Sequence, residues 1–352
     1  MTPQRARTVC FLSSRNLGDA VIHADFVRAL VAADYAERYI VWTFAAASFL
    51  FDGIERCETV CSDFPMGATV RAFFTGGFTS FGSAVRWIRT QHPSETLELV
   101  SDVRERWACR LVNAPRNLWP YWQPGHPFRR HIRMGRVKRS GLVTIPAAVS
   151  NLYAAYELVL TALVGPGHRP FSPAPAWPAL RGSVPGRGRL RIGIHPFASA
   201  PCKLWPRQHW VVLLESLRSQ FPDASVVLFG SPADRGELDA LAGAAHGPPE
   251  IFTASLREFK LRLRDLDLLI GLDSVAVHLA HSQGVPAIVL VGPNDPRLFT
   301  PPGARAATHT GGCVHQPCGG KPRCIGTGFQ YVCMNSISPG QVLERIDAPP
   351  TL

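Results

Sequence analysis

Residues 266–291 read LDLLIGLDSVAVHLAHSQGVPAIVLV, and this stretch decides the fold of the chain. Residues 266–272 and 287–291 are short apolar runs of the kind that form buried strands. Between them, residues 274–283 place their apolar side chains at helical spacing. A strand, a helix and a second strand in this order predict a βαβ unit, and hence a parallel sheet.

The same alternation extends upstream of this unit. It predicts strands at 190–195 and 225–230 and helices at 206–220, 233–244 and 256–263. Together these elements predict a doubly wound domain over residues 190–335. The chain also opens with a strand at 8–13, a helix at 19–33 and a strand at 39–43, so a second parallel sheet is expected to begin there with a βαβ unit. Residues 62–140 mix Gly, Phe, Arg and Pro and give no clear order of elements.

A segment dense in proline and glycine separates the two alternating regions. Residues 164–188 read VGPGHRPFSPAPAWPALRGSVPGRG, a composition that no helix or central strand tolerates. We therefore predict a linker at 166–189 between an amino-terminal domain, 1–165, and the domain at 190–335, with a terminal segment at 336–352. A length of 352 residues agrees with two domains of ordinary size.

Composition narrows the class of protein. Hydrophobic residues make up 46% of the chain and charged residues 18%, a composition typical of globular proteins that bury an apolar core. Its longest apolar segment, residues 152–164, is shorter than a bilayer span and contains Glu157. No signal-peptide core follows Arg5 and Arg7, so we expect a cytoplasmic location.

Positive charge is concentrated in one region. The formal net charge is +11, and residues 100–140 carry many Arg and Lys side chains against only Asp102 and Glu105. Such a region is expected to face an anion: a phosphorylated lipid, a membrane surface or a nucleic acid. No helix-turn-helix, zinc-finger or RNA-recognition pattern accompanies it, which argues against nucleic acid. A solvated basic face without a ligand is the alternative.

Ligands of parallel sheets bind beyond the carboxyl ends of the strands, so functional side chains are expected in the loops after the strands. The loop after the first strand reads Arg15-Asn16-Leu17-Gly18-Asp19, which puts a carboxylate at the start of a helix. Asp19 is either functional or simply a cap that complements the helix dipole.

The loop after residues 190–195 carries Ser199 and Lys203 just before a helix. A hydroxyl, an ammonium and a helix amino terminus together make a plausible cradle for a diphosphate. The loop after residue 272 begins a helix with Asp273 and Ser274, and His278 follows one turn later on the same side. Alternatively, Asp273 is an ordinary cap and His278 packs in the core.

Five segments, in order and spacing, resemble glycosyltransferase family nine, the ADP-heptose:lipopolysaccharide heptosyltransferases. They are the "LGD" segment within residues 15–30, "K-x-W-P-x-x-x-W" at 203–210, "G-x-x-x-(D/E)" at 230–234, "D-T-G-x-x-H-L-A" at 273–280 and "G-P-T-D-P" at 292–296. The resemblance covers most of the chain from 10 to 340. It implies the GT-B architecture, with two Rossmann-like domains facing each other across a cleft, the first binding the acceptor and the second the nucleotide-sugar donor.

The resemblance also implies roles for individual residues. Asp19 would be the general base, and the donor would be held by Ser199, Lys203, Asp234, Asp273, Ser274 and His278. The basic segment would hold an anionic acceptor through Arg15, Arg129, Arg130 and Arg133. The chain departs from the family pattern at Leu272, where the family often has Asn, and at Val275, where it has Gly. These departures crowd the approach to the diphosphate and put the identity of the donor in question.

Two further features bear on metals. Asp265 and Asp267 imitate a metal-binding D-x-D, but they lie at the entry of a strand, far from its carboxyl end, so no catalytic metal is expected. The tail holds Cys313, Cys318, Cys324 and Cys333, four thiols that suggest a tetrahedral site for Zn²⁺ or iron. The alternative is a set of reduced thiols that pack against the domain, because a cytoplasmic location disfavours disulfides.

The sequence therefore predicts an inverting, metal-independent heptosyltransferase. Its donor would be of the ADP-heptose type and its acceptor a lipopolysaccharide core or a related glycan or protein. We expect it at the inner face of the inner membrane, in peripheral contact. Two alternatives remain: a GT-B transferase with another nucleotide sugar, and a non-catalytic module of the same fold that binds anions or metal.

Overall fold

The computed structural model describes residues 7–64, 78–132, 141–178, 189–245, 247, 249–309, 312–319 and 321–347. The chain divides into two compact units, Met1–Ser172 and Pro173–Leu352. Each unit is built on its own parallel sheet. Within the described residues, no helix is long and apolar enough to cross a membrane.

The first unit forms a five-stranded parallel sheet with the order β3-β2-β1-β4-β5. Its strands are β1 (Thr8–Ser13), β2 (Arg38–Thr43), β3 (Cys57–Cys61), β4 (Glu95–Leu97) and β5 (Arg116–Leu118). Its helices are α1 (Leu17–Ala32), α2 (Phe78–Thr90), α3 (Val103–Val112) and α4 (Leu152–Val164). A short parallel pair, β6 (Tyr121–Trp122) and β7 (Thr144–Ile145), lies outside the main sheet.

The central strand β1 organises the first unit. All six of its residues are buried, and Phe11 pairs in register with Val41 on one side and Leu97 on the other. A strand that is buried on both faces needs an unbroken apolar run, which is why this strand was readable from the sequence. The helix α1 follows and packs Phe26 against Phe11.

The second unit forms a six-stranded parallel sheet with the order β10-β9-β8-β11-β12-β13. Its strands are β8 (Arg191–His195), β9 (Ser225–Gly230), β10 (Glu250–Thr253), β11 (Leu268–Leu272), β12 (Ala287–Val291) and β13 (Arg305–Thr308). Its helices are α5 (Arg207–Gln220), α6 (Arg235–Ala244), α7 (Leu256–Arg262), α8 (Val275–Ser282), α9 (Pro296–Phe299), α10 (Val332–Asn335) and α11 (Pro339–Asp347).

Close packing in the second sheet requires a glycine in its centre. A Cβ on Gly193 of β8 would collide with the side chains of Leu266 and Phe229. These side chains cover the sheet where β8 lies between β9 and β11. The glycine thus leaves the volume that the neighbouring apolar side chains fill.

Residues after the boundary of the two units pack on the second one. The Trp177 indole donates a hydrogen bond of 2.8 Å to the carbonyl of Gly303. The Arg305 guanidinium lies 3.5 Å from the centre of the Trp177 ring, a cation–π geometry. Part of the segment predicted as a linker is therefore attached to the second unit.

The predicted fold class, α/β with two Rossmann-like doubly wound domains, is confirmed. In both sheets the strand order, read from the first strand of the unit, is 3-2-1-4-5, and the second sheet adds a sixth strand. This order reverses direction between β1 and β4 and again between β8 and β11. Ligands of such sheets bind at these reversal points, so each unit has one expected binding edge.

Candidate active site

The binding edge of the second unit brings together two residues that are far apart in sequence. Lys203 lies in a short 3-10 turn, Pro201–Lys203, after β8, and Asp273 directly follows β11. The Lys203 Nζ donates to the Asp273 carboxylate at 3.0 Å and to its backbone carbonyl at 3.0 Å. The ammonium is thereby fixed at the carboxyl edge of the sheet.

Asp273 is held in place from three sides. Its side chain accepts hydrogen bonds from Lys203 and from the Asn294 amide, and its own backbone N–H donates to Leu290 at 3.2 Å. The residue is 8% exposed. The alternative that Asp273 caps the following helix is wrong, because Ser274 occupies the cap position of α8.

Ser274 adds an unsatisfied hydroxyl to this edge. Its backbone is extended, and its Oγ is buried without a hydrogen-bond partner. The first N–H groups of a helix also lack intrahelical acceptors and carry a partial positive charge. A buried hydroxyl, free amide groups and the nearby Lys203 ammonium together form a site suited to phosphate oxygens.

His278 lies one turn into α8 and is 6% exposed. Burial lowers the pKa of its imidazole to about 4; the Lys203 charge acts in the same direction and the Asp273 charge opposes it. His278 is therefore neutral at physiological pH. It offers this edge a hydrogen-bonding group without a charge.

The remaining predicted donor residues are placed differently. Ser199 is exposed in the loop after β8. The Asp234 carboxylate accepts from the backbone N–H of Ser231 at 2.8 Å and from its hydroxyl at 2.6 Å, which closes the turn after β9. Burial lowers the pKa of His195 to about 4, and the negative charge of Asp234 acts in the opposite direction. Asp234 thus adjoins His195 at the same sheet edge, with one of its oxygens engaged in its own turn.

The binding edge of the first unit carries Asp19. Its helix is capped by Asn16, whose side chain accepts from the Asp19 N–H at 3.0 Å and donates to the Asp19 carboxylate at 2.9 Å. Asp19 is therefore the third residue of α1, and the alternative that it is the cap is wrong. It is 7% exposed, and the Arg15 Nε lies 3.5 Å from its Oδ2.

Arg15 connects this edge to the predicted acceptor-binding segment. Its Nη2 donates to the carbonyl of His131 at 2.9 Å, at the end of the 3-10 turn Pro127–His131. Arg129 is partly buried in this turn and Arg130 is exposed. Arg133 lies outside the described residues.

Three residues of these edges were missed by reasoning from the sequence. Asn294 was seen only as part of a motif, and Glu98 and Glu105 were not singled out. Both glutamates are 1% exposed, and the Ser14 hydroxyl donates to the Glu105 Oε1 at 2.7 Å. Sequence spacing does not identify such carboxylates, because they become buried only when distant parts of the chain pack together.

The nine cysteines are all free thiols. Burial raises the pKa of Cys333 to about 11, and the charges of Cys313, Cys318 and Cys324 act in the same direction, so the four tail thiols share one neighbourhood. Cys202, from the Lys203 turn, also interacts with Cys318 and Cys324. Across the described part of the chain, however, no three His, Cys, Asp or Glu side chains converge closely enough to hold a metal ion. The tail thiols as arranged do not form a ligand set.

A comparison with protein families identifies the second unit. Residues 175–325, which include Lys203, Asp273 and Asn294, match the model of glycosyltransferase family 9 (heptosyltransferase). The match lies within the second unit. The resemblance seen in the sequence is confirmed, and so is the predicted class of enzyme, a glycosyltransferase.

Solved structures show that the same fold extends over the whole length of this glycosyltransferase. A family 9 glycosyltransferase from Veillonella parvula has a TM-score of 0.69 at 16% identity, over 97% of this chain and 96% of its own. The E. coli heptosyltransferase WaaC, solved with ADP-2-deoxy-2-fluoro heptose, has a TM-score of 0.64 at 13% identity, over 97% and 99%. No curated protein matches the chain.

A third solved structure bears on the cysteines. TibC from enterotoxigenic E. coli, described as an iron-containing dodecameric glycosyltransferase, has a TM-score of 0.52 at 14% identity, over 97% of this chain and 78% of its own. At this level of identity the likeness concerns the fold. The glycosyltransferase described here thus shares an architecture with at least one protein that contains iron.

Proposed function

We propose that this glycosyltransferase moves a heptose from an ADP-heptose-type donor to a hydroxyl of a lipopolysaccharide core or a related glycan or protein. The observation that carries the proposal is the edge of the second sheet, where Lys203, the unpartnered Ser274 hydroxyl and the start of α8 meet. It lies within the segment that matches a heptosyltransferase family model. WaaC, a heptosyltransferase of the same fold, was solved with an ADP-heptose analogue.

The donor diphosphate would be bound by positive groups that also stabilise it as it leaves. Negative charge grows on the diphosphate as the sugar bond breaks, and fixed donors directed at that charge lower the barrier. Lys203 supplies a point charge, Asp273 holds it in one orientation, and Asn294 in turn holds the Asp273 carboxylate. The resemblance to the heptosyltransferase family assigns His278, Ser199 and Asp234 to donor binding as well. No divalent metal is needed for this step.

The acceptor would be activated by Asp19. A sugar hydroxyl is a weak nucleophile, so its proton must leave as the carbon–oxygen bond forms, and a placed carboxylate accepts it. Attack from the face opposite the departing ADP inverts the anomeric carbon. Arg15, Arg129, Arg130 and Arg133 would bind anionic groups of the acceptor, and the same basic region would favour peripheral contact with the inner face of the inner membrane. We assign no role in binding nucleic acid.

The tail cysteines support a separate, structural proposal, which is that they bind Zn²⁺ or iron. Its support is the shared neighbourhood of Cys313, Cys318, Cys324 and Cys333 and the iron of a protein with the same fold. The thiols would have to draw closer than they lie here. Purified protein should then carry about one metal per chain, and Cys318→Ser should release it. Metal-free protein with unchanged melting on Cys318→Ser would contradict this proposal.

A nucleotide panel tests the donor. A ligand that binds only the folded protein raises its melting temperature in proportion to its affinity. ADP should raise the melting temperature more than UDP or GDP, and Lys203→Ala should reduce the shift with ADP because the cation on the diphosphate is lost. A larger shift with UDP or GDP would favour the alternative of another nucleotide sugar. Binding of ADP without transfer to any glycan acceptor would favour the non-catalytic module.

A further inference from the structure

A cluster of buried carboxyl groups lies at the binding edge of the first unit. Glu98 directly follows β4, and Glu105 lies on α3; each is 1% exposed. Since β4 is the neighbour of β1 at the reversal of strand order, both groups lie where ligands of this fold bind. Neither has a place in the proposed mechanism so far.

Glu105 is attached to the turn that carries Asp19. Its Oε1 accepts the hydroxyl hydrogen of Ser14 at 2.7 Å, and Ser14 lies between the end of β1 and Arg15. Both partners of this hydrogen bond are buried. The Glu105 carboxylate therefore fixes the first residue of the turn that leads to Asp19.

Glu105 and Asp19 also share one cation. The Arg15 Nε lies 3.5 Å from the Asp19 carboxylate. Burial raises the pKa of the Glu105 carboxyl to about 7; the Arg15 charge and the Ser14 hydrogen bond oppose this rise, and the Asp102 and Asp19 charges add to it. The two carboxylates thus compete for the charge of the Arg15 guanidinium.

The cluster is costly for stability. Four of its buried polar atoms lack a hydrogen-bond partner: the Arg15 Nη1, the Glu98 Oε1, the Glu105 Oε2 and the Arg106 Nε. Each such atom costs free energy that an apolar side chain of similar size would not. Buried ionisable groups without full compensation are typical of functional sites.

We propose that Glu105 is a positioning residue that sets the strength of Asp19 as a proton acceptor, by anchoring Ser14 and by competing for the charge of Arg15. The inference rests on the proposed role of Asp19. Ionised Glu105 places a second negative charge near Asp19 and draws on Arg15, and both effects favour uptake of a proton by Asp19. The charged and titratable groups that interact with Glu105 come from four elements. They are Arg15 and Asp19 from the turn and α1, Glu98 after β4, Asp102, Arg104 and Cys109 from the start and body of α3, and Tyr156 on α4.

The test is the pH profile of kcat for the wild type and Glu105→Gln. Gln keeps the shape and an acceptor for Ser14 but does not ionise. Because Glu105 ionises near neutrality, wild-type kcat should rise between pH 6 and 8. A rise of about threefold to tenfold is expected when one negative charge is added close to the base. Glu105→Gln should stay at the lower level throughout, with the KM for the donor unchanged. Glu105→Asp should restore part of the rise.

Glu58→Gln is the matched control, because Glu58 belongs to the same unit but forms an exposed ion pair with Arg38. It should leave the profile unchanged. If the pH profiles of kcat for the wild type and Glu105→Gln are parallel and Asp19→Asn is inactive, the proposal for Glu105 is wrong and the role of Asp19 stands. Full activity of Asp19→Asn would instead remove the proposed base, so the two failures are distinguishable.

Stability provides a readout that does not depend on activity. A carboxyl group whose folded pKa is raised is bound to a proton in the native state over a range where the unfolded chain has lost it, so stability falls as pH rises through that range. For Glu105 the range runs from about 4.3, the ordinary value, to about 7. Glu105→Gln should flatten this part of the melting-temperature profile and Glu58→Gln should not. An unchanged slope in Glu105→Gln would show that Glu105 does not titrate there and would overturn the proposal.

Discussion

The two units of this glycosyltransferase share one strand order but carry different side chains at the same edge of the sheet. At the reversal point of the first sheet, Asp19 and Glu105 share the charge of the Arg15 guanidinium, and Glu98 lies beside Glu105. At the same point of the second sheet, Lys203 binds Asp273 next to the start of α8, where the Ser274 hydroxyl has no hydrogen-bond partner. In the proposed mechanism, one edge accepts a proton and the other receives an anion.

The difference lies in the residues that follow the strands, because the sheets themselves are alike. Both have buried central strands and the order 3-2-1-4-5. A carboxylate-rich edge repels a diphosphate, and a lysine beside a helix start is a poor proton acceptor. If each edge serves one substrate, as proposed, comparable substitutions on the two edges should impair different steps of the reaction.

The largest expected effect is that of Asp19→Asn. Asn keeps the shape and the hydrogen bond to the Asn16 side chain but takes no proton, so kcat should fall by about a hundredfold or more with donor affinity unchanged. Asp25→Asn is the control, because Asp25 lies on the same helix in an ion pair with Arg28. Kinetics and melting temperature from one preparation decide the matter, and a retained kcat would remove Asp19 from the mechanism.

Lys203→Ala should produce the complementary failure. Loss of the cation weakens donor binding and also raises the barrier, so kcat/KM should fall on the order of a hundredfold. ADP binding measured by calorimetry should weaken in this variant and remain normal in Asp19→Asn. Lys321→Ala, at an exposed lysine of the same unit, serves as the control. Normal ADP affinity after loss of Lys203 would place the phosphate site elsewhere.

Acid should weaken the second unit through His278. Its pKa is lowered by burial to about 4, so its contribution to stability is complete above the unfolded value near 6.5 and is lost as pH falls towards 4. The cost at pH 5 is on the order of 2 kcal/mol. Denaturant unfolding at pH 7 and pH 5 should show a smaller loss in His278→Gln than in the wild type; equal losses would mean that another group controls the acid response.

The smallest effect is expected from the basic turn of the first unit. Reversing the charge of Arg129 and Arg130 should raise the KM for an anionic acceptor by about threefold to tenfold at low salt, and less at high salt, because exposed charges are screened. ADP affinity should not change, since these arginines belong to the first unit. A parallel loss of ADP binding would indicate misfolding.

Strands that are buried on both faces were the easiest elements to predict. β1 and β12, which are buried throughout, and the partly buried β9 begin and end at the residues expected, because each is a clear apolar run. The buried strand β4 was not predicted, because it has only three residues and begins with a glutamate. The edge strands β10 and β13 were missed: β10 is only partly buried, and β13 begins with an arginine. An edge strand needs no apolar run, so its sequence does not distinguish it from a loop.

The site was predictable where a residue follows a strand directly. Asp273 follows β11 directly. The loops and helix starts after the other strands indicated Asp19, Ser199 and Lys203, and the family resemblance added Asp234. Glu105 was not found, because its partner Ser14 lies 91 positions away and nothing local marks the pair. Asp19 and Asp273 were each offered as helix caps in the alternative interpretation, and the structure gives those positions to Asn16 and Ser274.

The Trp177 contact has a consequence for how the second half of the chain folds by itself. Because this indole stacks on Arg305 and binds the Gly303 carbonyl, a fragment that begins at residue 190 leaves out a covering of its own last strand. A fragment that begins at residue 173 keeps it. The longer fragment should melt several degrees higher, and Trp177→Ala should bring it down to the shorter one. Trp177 covers β13, so we expect a fragment of the second unit that folds by itself to begin at residue 173.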